Sequence, residues 1–166
     1  MYLKYLFYLY LSRNTYYISI MENAMQYQII PERNLILEYY SGVIHKMDIL
    51  NFKIEISKNV AYNHSYNIIH DFRDANFITD VNEIKSFIDH IKSNKRTYAQ
   101  KKISFITDNP NQVSITYLFT LFKKETLLIA DTFSTVEGAV VWVGLKPTET
   151  DYIKSLFEEL KFDANS

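Results

Sequence analysis

Cysteine is absent from the 166 residues, which excludes disulfides, thiolate nucleophiles and Cys-ligated zinc or iron–sulfur sites. Glycine is nearly absent. Gly42, Gly138 and Gly144 are the only three, too scattered to build a phosphate-cradling loop or a dinucleotide fingerprint. There is no excess of either charge, with 18 basic and 19 acidic residues, so the electrostatic footprint of a nucleic-acid binder is missing. The apolar run Tyr5–Leu11 is seven residues long, against the roughly 20 that a membrane-spanning helix requires. No Gly-x-Ser-x-Gly elbow offers a hydrolase nucleophile. The histidines, His45, His64, His70 and His90, show no His-Glu-x-x-His spacing, so no metal site and no cofactor is expected.

What is present is a globular composition, 48% hydrophobic and 22% charged, with 16% aromatics that include 14 tyrosines. A chain of this length buries roughly 70% of its unfolded surface and needs no covalent staple. Composition and motifs alone name no reaction.

Residues 1–24 differ from the rest. Met1–Leu11 reads MYLKYLFYLYL, and no small-residue cleavage site follows it. The expectation is a leader outside the core, with Met21 or Met25 as the true start. An interfacial segment and a secretion signal are the alternatives. From Met25 the pattern is regular. Gln26–Ile30 and Leu35–Tyr40 read as strands joined by Pro31-Glu32-Arg33-Asn34, a hairpin, with Gly42 ending the second. Ile49, Phe52 and Ile56 predict an amphipathic helix over Met47–Lys58. Tyr66–Phe72 reads as a short strand ending before the polar pair Arg73-Asp74. Val81, Ile84, Phe87, Ile88 and Ile91 line the next helix, with Asp80 as its N-cap.

Ser93–Lys102 reads as a basic, polar connection, and the basic stretch Lys92-Ser93-Asn94-Lys95-Arg96, with Lys101-Lys102 beyond it, as a solvated loop. Then come a strand at Ile103–Thr107, a turn at Asp108–Asn111 and a helix at Gln112–Lys123. Leu127–Asp131 reads as a strand buried on both faces. Ser134-Thr135-Val136-Glu137 reads as a capping box, and Gly144 as the C-cap of that helix. After Pro147, a last amphipathic helix, Asp151–Phe162, carries Ile153, Leu156, Phe157 and Leu160 on one face and a Lys154/Glu158 pair. The alternation predicts an α/β fold: a mixed four- to five-stranded sheet with an N-terminal hairpin, covered by helices, over residues 25–146, plus a C-terminal helix over 147–166.

Three segments carry a family resemblance: MQYQIIPERNLILEYYSGVI, YNIIHDFRDANF and FSTVEGAVVWVG. In this order they resemble the SpoIIAA-like group of STAS-type domains, a group that is also similar to the CRAL-TRIO lipid-transfer fold. The resemblance implies a small cytoplasmic bacterial domain that works by binding a protein partner, as a monomer or a homodimer, without a reaction of its own. One departure stands out. Phosphorylated STAS antagonists carry a Ser at the start of the helix after the central strand, whereas this chain reads Thr79-Asp80-Val81-Asn82. An Asp there satisfies the helix-end donors permanently, leaving Thr79 as the remaining hydroxyl.

The expected partner surface is the loop Asp71–Asp80, presenting Asp71, Arg73, Asp74, Thr79 and Asp80 beyond a strand end. The plainer reading is that Asp71 or Asp74 simply pairs with Arg73. A second function is an apolar-ligand or lipid carrier. Ile115, Leu118, Phe119 and Phe122, widened by Val113, Tyr117 and Leu121, make an arc that suits a cavity or an interface, or else burial beneath the C-terminal helix. A third is a phosphohydrolase or phosphotransferase using Asp71. The histidines read as structural, His70 in a strand and His90 on a helix.

Overall fold

The computed structural model describes residues 23–93 and 100–164. Most of the expected leader, and Asn94, Lys95 and Arg96 of the basic stretch, lie outside the described residues. The sheet has five strands in sequence order. β1 (Ala24–Ile30) runs antiparallel to β2 (Leu35–His45), and β2, β3 (Asn67–Ile78), β4 (Lys101–Ile106) and β5 (Leu128–Phe133) run parallel. The hairpin turns through a 3-10 turn at Pro31–Arg33, with Asn34 at φ 50° closing it. The expected α/β architecture is therefore present, with the five strands and the N-terminal hairpin.

The helices divide between the two faces. α1 (Lys46–Lys58), α2 (Val81–Ser93) and α3 (Pro110–Phe122) connect successive parallel strands and share one face. Crossovers of one hand that always step in the same direction along a sheet give this result. α4 (Val136–Trp142) and α5 (Thr150–Ala164) cover the other face. α5 therefore does not bury α3, which packs instead on α2, β3 and β5. Two cores result. Ile36, Tyr40, Ile68, Phe72 and Phe105 face α1–α3, while Leu37, Tyr39, Ile69 and Ile106 face α4 and α5. The alternation of side chains along each strand produces this split.

β2 and β3 are both longer than their sequence suggests. Between the pairs Tyr39–Asp71 and Ser41–Asp74, β2 contributes Tyr40 alone and β3 contributes Phe72 and Arg73. The extra residue is a β-bulge. It shifts the buried positions of β3 from Phe72 to Ala75 and Phe77, so the period of two breaks and the strand looks finished at Phe72. Gly42, at φ 78°, lies within β2 rather than at its end. The Asp71–Asp80 segment is thus mostly strand.

β3 outruns β4, whose pairing stops at Asp71–Ile106. Side-chain amides from the start of α3 take over the open edge. Gln112 Nε2 donates to the carbonyls of Arg73 (3.2 Å) and Ala75 (2.9 Å). Asn111 Oδ1 accepts from Phe77 N at 3.1 Å, and its Nδ2 donates back to Phe77 O at 3.3 Å. The amides stand in for a neighbouring strand at these backbone groups. Gln112 is fully buried. Gln112→Leu strands these acceptors, and we expect a loss of about 2 kcal/mol or more, read from the urea midpoint; a variant as stable as the parent would contradict this role.

Other differences are local. Lys101 belongs to β4 and is buried, so the basic connection is not solvated throughout. β5 is an edge strand whose burial alternates, with Leu128 and Ala130 inside and Ile129 exposed. Only one of its faces is covered at that point, which is why the continuous apolar run misleads. Thr135, not Ser134, caps α4, accepting from Gly138 N at 3.2 Å. α3 starts earlier than expected, at Pro110, with Asn109 as its cap. Gly144 ends α4 at φ 94°, where its N–H donates to Val141 O and that of Leu145 to Val140 O. That is the αL ending its sequence position implies. Lys154 pairs with Glu137 of α4 rather than with Glu158, tying the two helices of that face together.

Candidate functional site

A cavity of about 560 Å³ lies between the sheet and α1–α3. Ile84 and Phe87 of α2, Ile115 and Phe119 of α3, and Ile103 and Phe105 of β4 supply much of its apolar wall. Its origin is the weak seating of α1. α2 and α3 pack on one another, whereas α1 packs chiefly on β2 and buries only Phe52 and Ile56. Met47 and Ile54 also line the cavity, yet remain 57% and 53% exposed. The mouth therefore runs along α1.

A charged cluster sits on the sheet side of this cavity. On β2 the residues facing the helices are Ile36, Glu38 and Tyr40, which places a carboxylate at a core position with no solvent exposure. Lys53 comes down from α1 beside Phe52, and its Nζ donates to both Glu38 oxygens, at 2.6 Å to Oε1. The Tyr40 hydroxyl donates to Glu38 Oε2 at 2.6 Å. Parallel pairing sets His70 of β3 beside Glu38 and Phe105 of β4 beside His70. The imidazole stacks on Phe105 with ring centres 5.0 Å apart. Its Nδ1 lies 3.2 Å from Glu38 Oε2 but makes no hydrogen bond. Lys101 also lines the cavity, 6% exposed.

The electrostatics follow from burial and from which neighbours are charged. Burial pushes the Glu38 carboxyl up, but the charge of Lys53, aided by His70, outweighs it and holds the group well below the usual carboxylate range. Burial pulls Lys53 down, with Glu38 opposing. Burial and then the Lys53 charge depress His70 to about 4, so it is neutral at pH 7. Burial and then Lys53 bring Lys101 to about 8. Burial and the adjacent Glu38 raise the Tyr40 hydroxyl well above its ordinary value. Among the described residues, no three His, Asp or Glu side chains converge as a cation would need.

The residues singled out from sequence do not form one surface. Asp71 faces α5, is 2% exposed, and both its oxygens are taken by Arg73, at 2.9 Å to Nε and 2.6 Å to Nη2. The plainer reading of that trio, an Asp71–Arg73 pair, is the arrangement present. Asp74 accepts from Tyr39 Oη at 2.8 Å and from Lys161 Nζ of α5 at 2.7 Å. The bulge puts Asp71 and Asp74 on the same side of the sheet despite their odd spacing. Thr79 lies on the opposite side, at the cavity. Asp80 caps α2 as expected, accepting from Glu83 N at 2.9 Å. Of the apolar arc on α3, Ile115 and Phe119 line the cavity. Leu118 lines a shallower recess with Thr79 and Asp80, and Phe122 packs against the core beyond. Val113, Tyr117 and Leu121 are exposed.

No family model and no curated protein matches the sequence. In its chain path the molecule is similar to a crystal structure of an uncharacterised protein of the DUF3478 family with a SpoIIAA-like fold, from Shewanella loihica PV-4. That likeness has 10% sequence identity and a TM-score of 0.49, over 73% of this chain and 94% of the other. It concerns the course of the backbone alone. Among the described residues no helix is long and apolar enough to cross a membrane.

The residues that sequence reasoning missed are Glu38, Lys53 and Lys101, and it misread His70. Their signal was present. In Leu35–Tyr40 a glutamate occupies the inward phase of an apolar strand, and an ionised group rarely takes such a place without a partner.

Proposed function

We propose that this chain is a binding module for a small, largely apolar molecule held between α1–α3 and the sheet. The single observation that carries the reading is the cavity, whose volume falls within the range of small-molecule sites and whose wall joins a largely apolar surface to the buried polar cluster around Glu38, Lys53 and His70. Apolar surface with a few convergent polar groups is the usual make-up of such a site. Ile115 and Phe119 of the α3 arc line this cavity, which supports a carrier reading.

An uncharged apolar dye, Nile red, tests it. We expect saturable one-to-one binding with enhanced fluorescence, and at least a tenfold loss of affinity in Ile115→Trp, which fills the space, in a variant that keeps its circular dichroism. Absence of saturable binding by the folded parent chain would remove the reading.

A second reading, a protein-partner surface at Arg73, Asp74 and Lys161, is supported by the side-chain exposure these groups retain, 36%, 38% and 47%. Weighing against it, the charges there already neutralise one another.

A further inference from the structure

Resting on the cavity reading, we infer that the occupant is an uncharged alcohol, its apolar body against Ile84, Phe87 and Phe119 and its hydroxyl donating to the imidazole of His70. Two features of the polar wall lead there.

The buried charges are already engaged. Glu38 accepts from Lys53 through both oxygens and from Tyr40 as well. An ammonium head would find no open carboxylate and would meet the charge of Lys53. Lys53 in turn is held by Glu38, and Lys101 is not a free cation. An acid head at His70 would lie beside the ionised Glu38. The further charges lining the space, Lys46 of α1 and Glu83 of α2, are opposite in sign and only half-buried. A charged head would therefore be taken out of water without a partner of its own, which is costly.

His70 supplies a hydrogen-bonding group without a charge. Its ring lines the cavity, is 5% exposed and is neutral at pH 7. Its Nδ1 is buried and makes no hydrogen bond, an exception among buried polar groups. A neutral imidazole has one N–H and one lone-pair nitrogen. The ionised Glu38 oxygen 3.2 Å from Nδ1 favours the proton on that side. Nε2 is then the lone-pair nitrogen, and a hydroxyl is the uncharged oxygen group that can donate to it.

The space also asks for an apolar body. The cavity holds about 560 Å³, and at about 30 Å³ per non-hydrogen atom that is room for on the order of 20 of them.

Isothermal titration of the full chain at pH 7 with octan-1-ol, its isomer 1-methoxyheptane, octanoate and octylamine separates the possibilities. The ether accepts hydrogen bonds but donates none. We expect octanol to bind about fivefold or more tightly than the ether, and at least tenfold more tightly than the acid or the amine. In His70→Phe the alcohol-to-ether ratio falls to near one. Equal binding of alcohol and ether by the parent chain, tightest binding of the acid or the amine, or a ratio that survives His70→Phe would each overturn the assignment. If none of the four binds but Nile red does, the alcohol assignment fails and the cavity reading stands. If Nile red fails too, both fall. The comparison on the unaltered chain needs no variant to fold.

Discussion

Replacing Lys53 by Met is expected to destabilise the fold by about 3–5 kcal/mol, the usual cost of removing one partner of a buried ion pair. The origin is Glu38, not Lys53. With no solvent exposure, the carboxylate would keep only the Tyr40 hydroxyl as a hydrogen-bond donor, and it must then either stay ionised without its cation or take up a proton. The control is the double variant Glu38→Leu/Lys53→Met. A well-packed apolar replacement of a buried pair is often neutral or stabilising, so the double variant should recover most of what the single one loses. Denaturant titration of parent, single and double variants gives the coupling directly. A single variant within about 1 kcal/mol of the parent, well below the range for a broken buried pair, would mean that Glu38 does not depend on Lys53.

The second large effect is acid lability beginning well above the carboxylate range. His70 holds its proton only near pH 4 in the folded chain, against an ordinary 6.5. Between those values the unfolded chain binds more protons than the folded one, so stability falls as pH falls. The contribution is complete above pH 6.5 and gone near pH 4. A separation of about 2.5 pH units corresponds to about 3 kcal/mol. Glu38, whose carboxyl is held low chiefly by Lys53 against the effect of burial, adds a further loss below its ordinary value of 4.5. The two are separable with His70→Phe, a ring that can keep the stack on Phe105. It should flatten the decline between pH 6.5 and 4.5 and leave the steeper fall below. Urea midpoints at pH 7.5, 5.5 and 4.5 test this. A parent chain equally stable at 7.5 and 5.5, or a His70→Phe chain with an undiminished slope, would show that His70 is not the group responsible.

These two expectations come from residues that the linear sequence handles unevenly. Element order was readable because periodicity is a local property. Ile84, Ile88 and Ile91 mark α2 without reference to anything distant. Asp80 and Gly144 announce helix ends by chemistry that operates within a few residues. Register is not local. The bulge opposite Tyr40 is set by how β3 meets β2, so Arg73 and Asp74 looked like a loop when they are strand. Asn111 looked like a turn residue and Gln112 like an ordinary helix start, because the edge their amides cover belongs to a segment more than 30 positions away. The candidate site suffered most. Glu38, Lys53, His70 and Lys101 come from three strands and a helix, and only their convergence turns an oddly placed glutamate, an unremarkable lysine and a strand histidine into one polar wall. The Asp71–Arg73 pair was conspicuous in sequence because its members are neighbours. For the same reason they find and satisfy each other.

The surplus residue in β3 also bears on how this chain can change in length. An insertion or loss within an inner strand ordinarily turns every later side chain inside out, because facing alternates residue by residue. Here the strand already contains one position too many. Excising Arg73 would leave Asp71, Phe72, Asp74 and Ala75 alternating regularly and opposite their present partners, Phe77 still inward. What would vanish is the cation beside Asp71. The middle of the sheet is therefore a place where the polypeptide can shorten by one without rebuilding either core, provided that the orphaned acid changes with it.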